Sequence, residues 1–446
     1  MLIETIRGSF KISELRNRVL FTLGMIIIYR LGAHIPTPGV DAAELAKIFA
    51  GGGLFGMLDL FSGGALKRFS IFALGIAPYI NASIIMQLLV YVIPYLEKIA
   101  KDGDEGRQKI SQYTRYGTVI LGALQAFGMS FFLAHVGGKG VLLPGVKENF
   151  ASFTIMTVMT LTAGTAFIMW LGEKITEKGI GNGISLLIFV GIIASAPQGV
   201  MNTYRVFKSD PLFYPKITIL GIFLLIITAA VVWVQDGTRK IPVQYAKRVV
   251  GRKVYGGQNT YIPLRVNQAG VIPIIFASSI LIFPGLILTY ATNYFNVMKY
   301  EWFAHVSRMI QTWLQPSHWF YLTLYAILII FFSYFYTAIT FNPKDLADNM
   351  KKYGGFIPGI RAGRPTAEYI DRTLVRVTLV GSIFLAIIAI IPNILMAYAK
   401  VPFYFGGTAL LIVVGVGLDT MKQLESHLVT RHYEGFMNKK SKLFRR

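Results

Sequence analysis

The sequence predicts an all-α membrane protein that crosses the bilayer many times, and three observations indicate this class. Hydrophobic residues make up 54% of the 446 residues and charged residues only 15%, a balance typical of membrane proteins. Apolar stretches of about 20 residues recur along the chain, and a helix of this length crosses about 30 Å of hydrocarbon. The interiors of these stretches are nearly free of charge. Because backbone groups cannot stay unpaired in lipid, each stretch is expected to be helical.

Ten stretches have the length and apolar character of a membrane-spanning helix. No small-residue cleavage pattern follows the first one, so we interpret it as a retained span and not as a signal peptide. Residues 2–15, which precede it, have the pattern of a short interfacial helix. The predicted spans are residues 19–35, 71–93, 116–136, 151–171, 183–200, 217–235, 270–290, 319–341, 374–397 and 403–420.

The placement of the 44 lysines and arginines predicts the orientation of the spans. Most of them lie before the first span, in alternate loops and in the C-terminal tail. Loops rich in Lys and Arg stay on the cytoplasmic side of a membrane. We therefore predict that both termini are cytoplasmic, with residues 1–18 as an N-terminal segment and residues 423–446 as a tail.

Two of the predicted cytoplasmic loops are longer than a connection requires. In residues 236–269, two valine-containing stretches flank a glycine, which predicts a short hairpin whose basic tip contains Arg252 and Lys253. In residues 342–373, glycines and prolines predict an ordered but irregular loop that carries Arg361 and Arg364.

The basic character of these two loops has two interpretations. Topology alone makes inner loops basic. Alternatively, the loops form a docking platform for an acidic partner, including the phosphates of ribosomal RNA.

Motifs for catalysis or cofactor binding are not found in the sequence. Residues 51–56 match G-x-G-x-x-G formally, but no strand precedes them and no acidic ribose partner follows. The sequence has no Walker A motif, no H-E-x-x-H motif and no cysteine, and its six histidines are scattered. We therefore predict no catalytic residues, no metal site and no cofactor.

The polar residues inside the spans are nearly all neutral. Four residues of the second span fall at helical steps of four, three and four and so share one face: Ile76, Ile80, Ser83 and Gln87. A face that is apolar at one end and polar at the other suits a passage. Two alternatives remain at this point: a secondary transporter, which would be favoured by a buried charged pair, and a membrane-embedded enzyme, which needs a cluster of acid, base or metal-binding groups.

One apolar stretch is too short to be a span. Residues 54–62 are bracketed by glycines and interrupted by Asp59. As a helix of nine residues, this stretch would be about 13 Å long, well short of a bilayer.

Six motifs occur in one order along the chain: ALGIAPYINASIIMQLL, GRQKISQYTRYGT, MWLGEKITEKGIGNGIS, YIPLRVNQAGVIPIIFASSI, FNPKDLADNMKKYGGFIPGIRAG and VPFYFGGTALLIVVGVGLDTM. Together they closely resemble the SecY family, the channel-forming subunits of the bacterial protein-translocation complex. The resemblance extends from about residue 12 to residue 433. It implies ten spans in two inverted, pseudo-symmetric halves around a central pore. The halves would be residues 19–200 and 217–422, joined by an outer hinge link at residues 201–216.

The resemblance assigns the short apolar stretch to a re-entrant plug helix at about residues 54–67. This plug would fill the outer funnel of a closed pore, and glycines 51–53 and 63–64 would act as its joints. The plug residues are Leu54, Met57, Leu58, Asp59, Phe61 and Ala65.

The resemblance also implies a pore ring and a lateral gate. The gate lies between spans two and three on one side and spans seven and eight on the other, with Gln87 and Asn267 near a polar seam. A ring of β-branched side chains deforms around a polypeptide but offers ions no substitute for water. The ring residues are Ile76, Ile80, Ile188, Ile275, Ile280 and Ile412.

The implied function is a protein-conducting channel of the bacterial inner membrane. It would pass unfolded polypeptides outward and release hydrophobic segments sideways into the lipid, without being an enzyme. The implied partners are the small subunits SecE and SecG, the SecA ATPase, the ribosome, clients with signal sequences and membrane lipids. SecA and the ribosome would dock through Arg252, Lys253 and Arg361.

Overall fold

A computed structural model shows the architecture of the chain. The structure describes residues 12–49, 59, 62–135, 141–143, 146, 149–208, 213–245, 248–250, 253–255, 259–297, 301–315, 318–399 and 407–443.

Helices dominate the described part of the chain, and a few short strands follow the eighth helix. In chain order the helices are α1 Ser13–Gly32, α2 Ala42–Phe49, α3 Ala77–Val92, α4 Pro94–Lys101, α5 Gly103–His135, α6 Phe150–Lys178, α7 Gly183–Lys208, α8 Phe213–Asp236, α9 Ile272–Val297, α10 Glu301–Trp313, α11 Trp319–Thr340, α12 Pro343–Lys352, α13 Arg364–Ala399 and α14 Gly407–Leu443. The strands are β1 Thr238–Tyr245, β2 Arg248–Val250, β3 Lys253–Tyr255, β4 Asn259–Arg265 and β5 Gly355–Phe356.

Each of the ten predicted spans overlaps one of these helices, although residues 71–76 of the second span form turns before α3. Six helices in the described residues are long and apolar enough to cross a membrane, and the bent pair α3–α4 makes a seventh if it is one span. Many of the long helices extend beyond the predicted spans, so the predicted outer link at residues 201–216 is largely helical in its described part. The all-α membrane class is confirmed, and the count of ten spans stays a prediction.

The second span ends in a sharp bend. Helices α3 and α4 meet at 100° on either side of Ile93, whose backbone is extended. The residue before a proline is pushed out of the helical region, and Pro94 begins α4. Helix α4 buries Leu96 and Ile99, while most of its other side chains are exposed. It is therefore a surface helix that turns away from the span.

The helices pack into two groups that follow chain order. In the N-terminal group, α5 packs between α3 and α6, and α6 also contacts α1 and α7. In the C-terminal group, α11 packs between α9 and α13, and α14 contacts α8 and α13. The two groups meet where α7 packs on α14 and where α3 and α5 pack on α9. This arrangement fits a body of two halves with a seam between them.

The two long loops fold together into one subdomain, which we call the sheet subdomain. Strand β1 pairs antiparallel with β4 from Thr238 opposite Arg265 to Gln244 opposite Asn259, and β5 pairs with the far end of β1. Side chains from both loops form its small core: Ile241, Val243, Leu264, Met350, Ile357, Ile370 and Leu374. Because β1 and β5 come from different loops, neither loop is an independent connection.

The predicted hairpin is present, but the predicted irregular loop is partly wrong. Strands β2 and β3 pair through Val249 opposite Val254, as the sequence predicts. In the second loop, Asn342 caps α12 by accepting a hydrogen bond from the Lys344 amide at 3.1 Å, which favours a helix start. Arg364 is the first residue of α13 and not part of a loop. Within this loop, glycine and proline interrupt the helical structure only between α12 and α13.

Candidate functional site

Four of the six predicted ring isoleucines lie together where the two halves meet. Ile76 precedes α3 and Ile188 lies on α7, so the N-terminal half contributes two of them. Ile275 on α9 and Ile412 on α14 come from the C-terminal half. All four are buried in one apolar cluster. Two pairs of side chains therefore close the seam from opposite sides.

The other two ring candidates take different places. Ile80 is half-buried and packs against the cluster of four, and also against a second cluster inside the C-terminal half. Ile280 packs against that second cluster alone. Its side chain therefore contributes to the packing of α9 inside the C-terminal half, and its membership of the ring stays a prediction.

A polar cavity of about 420 Å³ opens on the sheet-subdomain side of the four isoleucines. Ser185, Val271 and Val416 line it. Each of these residues precedes or follows a ring isoleucine on the same segment by three or four positions, which is one helical turn. The cavity therefore ends directly at the ring. Its polar lining includes Asn182, Arg265, Asp419, Thr420, Lys422, Gln423 and Ser426.

A hydrogen bond joins the two halves at the wall of this polar cavity. The Gly181 amide, in the link between α6 and α7, donates to Gln423 Oε1 on α14 at 2.9 Å. Gly181 has a φ of +82°, a conformation that glycine adopts without a steric penalty. The seam is thus polar at this cavity and apolar at the ring.

A much smaller cavity of about 50 Å³ lies on the other side of the ring. Its lining is mostly apolar and includes Ile76, Ile188 and Ile275. Ser62 and Leu66, from the segment before α3, line the same cavity. The isoleucines therefore separate a wide polar space from a narrow space that the end of the predicted plug segment lines.

The described part of the predicted plug ends in a tight helix stop. Gly64 donates its amide to the Asp59 carbonyl at 3.0 Å, and Gly63 has a φ of +68°. A six-to-one backbone bond with a left-handed glycine is the Schellman arrangement that ends helices. The Asp59 carboxylate accepts the Lys67 amide at 2.8 Å. Burial raises the pKa of this carboxyl, and the Lys67 amide and the charge of Lys67 oppose the rise.

The structure places the other plug residues less completely. Ala65 is fully buried in the same apolar cluster as the ring isoleucines. Ser62 Oγ donates to the Asp59 carbonyl at 3.1 Å and accepts the Leu66 amide at 3.2 Å. The predicted joint at glycines 51–53 lies outside the described residues. So do four of the predicted plug residues, Leu54, Met57, Leu58 and Phe61.

Two residues of α1 hold the end of the plug segment, and the sequence analysis missed both. The Tyr29 hydroxyl donates to the Ser62 carbonyl at 3.3 Å. Arg30 Nη1 donates to the Gly63 carbonyl at 3.0 Å. Tyr29 is buried in the ring cluster and stacks on Phe72. An arginine inside the first predicted span was the one available signal, since charged residues in spans are rare and functional.

Neighbouring glycines provide a matched test of how the plug end is seated. A Cβ at Gly63 would lie 2.8 Å from the Gly191 Cα of α7, whereas a Cβ at Gly64 would meet nothing within 4 Å. Both have positive φ, so alanine costs about 1–2 kcal/mol of backbone strain at either position. We expect Gly63→Ala to raise the resting ion conductance of planar bilayers more than Gly64→Ala does. Equal conductance of the two variants would show that the contact with α7 does not seat the segment.

The predicted gate seam is closed by apolar contacts. Ile84 on α3 packs in one cluster with Ile274, Ala277 and Leu281 of α9. At the far end of α3, the ring of Tyr91 meets the ring of Phe335 on α11 edge to face, with centroids 5.5 Å apart. Aromatic pairs of this geometry contribute about 0.5–1.5 kcal/mol beyond their burial.

The two predicted polar gate residues do not bond each other. Gln87 Nε2 donates to Ser83 Oγ of its own helix at 3.1 Å, and its buried Oε1 has no partner in the described structure. Asn267 Nδ2 donates to the Gly270 carbonyl at 2.9 Å, in the turn before α9. Both residues lie towards the sheet subdomain from the ring, so their role in the gate stays a prediction.

The predicted docking residues that the structure describes lie on or beside the sheet subdomain. Lys253 is in β3, and Arg252 lies outside the described residues. Arg361 is exposed, and its carbonyl accepts the hydroxyl of buried Thr366 at 2.8 Å. Its neighbour Ile360 packs on the small core. The loop is thereby fixed on its inner side, and the Arg361 side chain is available to a partner.

The two helical halves meet at a seam that an apolar constriction closes. A polar cavity lies on one side of the constriction and a re-entrant segment on the other. This arrangement is that of a gated membrane channel. The SecY family model matches residues 70–421. A protein translocase subunit SecY of Streptomyces scabiei is 49% identical over 441 residues, which cover 96% of this chain and 98% of that protein. The chain belongs to the SecY family.

Solved structures of low sequence identity share the fold. One has a TM-score of 0.61 at 20% identity, with 92% of each chain covered. Its description says that the plug domain of the SecY protein stabilises the closed state of the translocation channel and maintains a membrane seal. Another is Sec61 in the canine ribosome-channel complex from the endoplasmic reticulum, with a TM-score of 0.55 at 17% identity and 92% of each chain covered.

Proposed function

We propose that this chain forms the pore of a bacterial protein translocase, through which unfolded polypeptides cross the cytoplasmic membrane. The observation that carries the proposal is the constriction: four isoleucines from both halves separate a polar cavity of about 420 Å³ from an apolar one of about 50 Å³. Family membership supports the same activity, because the relative at 49% identity is a protein translocase subunit.

The ring works as a seal because of its chemistry. Isoleucine side chains offer ions no oxygen atoms to replace their water, and a narrow apolar constriction excludes water. The same side chains make no directional bonds, so they fit against any extended polypeptide. Ser62 and Leu66 line the small cavity beyond the ring, which supports a second barrier in series with the first.

The gate releases hydrophobic segments into lipid when α3 separates from α9 and α11. Apolar contacts close this seam, and a hydrophobic signal sequence replaces such contacts with equivalent ones. The Tyr91–Phe335 ring pair lies at the seam and separates when it opens. Gln87 keeps one side-chain oxygen unpaired in the closed seam, which makes the closed state less stable by a fraction of a kcal/mol to about 1 kcal/mol.

A small-solute transporter is not supported. Such proteins couple ions or protons through charged groups inside the spans. In the part of the chain that the structure describes, the residues with fully buried polar side chains are all uncharged, and Arg30 of the first span bonds the Gly63 carbonyl of the plug segment. The chain itself is proposed to have no enzymatic activity, so the driving force comes from the partners that feed it.

The proposed partners divide by location. SecE and SecG would contact the spans in the membrane, and both termini of this chain would be cytoplasmic. SecA or a ribosome would dock on the sheet subdomain through Arg252, Lys253 and Arg361. The solved Sec61 channel that shares the fold lies in a ribosome-channel complex, which supports a ribosome as a partner of this chain.

Charge reversal tests the docking surface. We expect Arg361→Glu to weaken binding of SecA or the ribosome, and more strongly at low salt, because exposed charges are screened over about 10 Å at 0.1 M. Arg364→Glu is the matched control: Arg364 is also exposed, but its guanidinium pairs with Glu368 of its own helix at 3.1 Å. Binding is measured by co-sedimentation with membrane vesicles. Equal affinity of Arg361→Glu and the unchanged chain would refute the role of Arg361.

Depletion of the chain tests the proposed function as a whole. Inverted membrane vesicles from depleted cells should leave a secretory client open to added protease, and vesicles resupplied with the chain should protect it. Uptake of small solutes should not change between the two preparations. Full protection of the client without the chain would contradict a translocation pore.

A further inference from the structure

Helix α10 joins the ends of α9 and α11 that lie away from the sheet subdomain. Six residues separate the end of β4 from the start of α9, and α11 is followed by α12 and β5. The start of α9 and the end of α11 therefore both lie at the sheet subdomain. The far ends of these two helices are joined through α10. Three residues separate Val297 from Glu301, and such a gap extends at most about 15 Å. Helix α10 packs against α9, so it cannot stand away from the bilayer.

The side chains of α10 divide into three faces at helical spacing. Ser307 and, just past the helix, Leu314 are buried against the protein. A second face is polar and exposed, with His305, Arg308 and Thr312 at steps of three and four. These two faces alone would make an ordinary surface helix.

The third face is apolar and largely exposed. Trp302, Val306, Met309 and Trp313 follow at steps of four, three and four, and Val306 is half-buried. The exposed fractions are 70% for Trp302, 48% for Met309 and 42% for Trp313. Water is a poor environment for such a continuous stripe.

The apolar face continues onto the lipid-facing surface of α11. The rings of Trp313 and Phe320 lie 5.9 Å apart, and Trp319 at the start of α11 is 70% exposed. Three of the five tryptophans in the chain therefore fall within residues 302–319. Tryptophan is enriched where hydrocarbon meets headgroups, because its ring is apolar and its N–H needs a polar partner.

We propose that α10 is an interfacial membrane-binding helix, whose Trp302–Met309–Trp313 face lies in the headgroup and acyl boundary of the bilayer. A helix of this kind is buried about 5–10 Å into the boundary and leaves its charged face in water. Arg308 on the exposed polar face lies near the lipid phosphates. The occupant of the apolar face is lipid, since the face is continuous with the surface of α11. This membrane contact stands independently of the channel function.

Cysteine labelling tests which face meets the lipid. The sequence contains no cysteine, so full-length single-cysteine variants need no further change. Met309→Cys and Thr312→Cys are a matched pair, because both positions are exposed and lie on the apolar and polar faces respectively. In proteoliposomes, we expect a membrane-impermeant maleimide to label Thr312→Cys and to leave most of Met309→Cys unlabelled. Equal labelling of the pair would show that the apolar face lies in water and would overturn the proposal.

Tryptophan quenching then distinguishes whether lipid or protein contacts the apolar face of α10. Trp170 and Trp233 are replaced by phenylalanine, and the full chain is reconstituted in phosphatidylcholine brominated at shallow or deep acyl positions. We expect the remaining emission to be lost more with shallow than with deep bromines. Protection of Met309→Cys without quenching by either lipid would mean that a second copy of the chain covers the face, and would refute lipid binding.

Discussion

Replacing Ile188 by asparagine is expected to make the resting channel leak ions. Ile188 is buried in the constriction and lines the small cavity beyond it. An unpaired amide in an apolar site costs about 1–3 kcal/mol, and this cost disappears when the channel opens and the amide meets water. At about 1.4 kcal/mol per tenfold change, the open population should rise between about five- and 150-fold.

The matched control is Ile193→Asn on the same helix. Ile193 is 44% exposed and does not belong to the ring cluster. Single-channel conductance in planar bilayers without substrate measures both variants. A leak from Ile188→Asn and none from Ile193→Asn supports the seal, whereas equal leaks would show that any added amide on α7 destabilises the closed state.

Removing residues 54–66 is expected to open the second barrier. The deletion takes away Ala65 from the ring cluster and Ser62 and Leu66 from the wall of the small cavity. It also removes the two carbonyls that Tyr29 and Arg30 bond. The same conductance measurement should show brief openings, because nearby apolar segments refill part of the space.

A replacement of equal length separates sealing from chain length. A Gly-Ser segment in place of residues 54–66 keeps the connection between α2 and α3 but removes every apolar contact. We expect it to leak as the deletion does, and the combination with Ile188→Asn to leak more than either change. A sealed channel in all of these variants would contradict two barriers in series.

The sequence predicted the spans well because they depend on composition. A run of about 20 apolar residues has few alternatives to a helix in lipid, and every predicted span overlaps a helix. The basic hairpin was also predictable, since β-branched valines stand on both sides of the turn that begins at Gly251. The ring was predictable only through the family motifs, because isoleucine occurs throughout the spans.

Features that depend on contacts between distant residues could not be predicted. Strand β5 has two residues and exists because β1, about 110 residues earlier, offers it a free edge. Helix α12 is different, because a local signal for it was present: the sequence NPKDLADNMKK follows the capping rule for Asn342 and Pro343. The irregular-loop prediction was wrong here because it gave more weight to the glycines that follow. The bond of Arg30 to the Gly63 carbonyl joins residues 33 positions apart.

The central claim is that a translocating polypeptide passes through the isoleucine ring, and site-specific cross-linking tests it most directly. A photoreactive residue is placed at position 188, 275 or 412 in the ring, or at Ile193 on the exposed side of α7. A secretory client is then arrested midway by a folded domain at its C-terminus. We expect the arrested client to cross-link to all three ring positions and not to position 193. Cross-links that avoid the ring, from a client shown by protease protection to be halfway across, would contradict it.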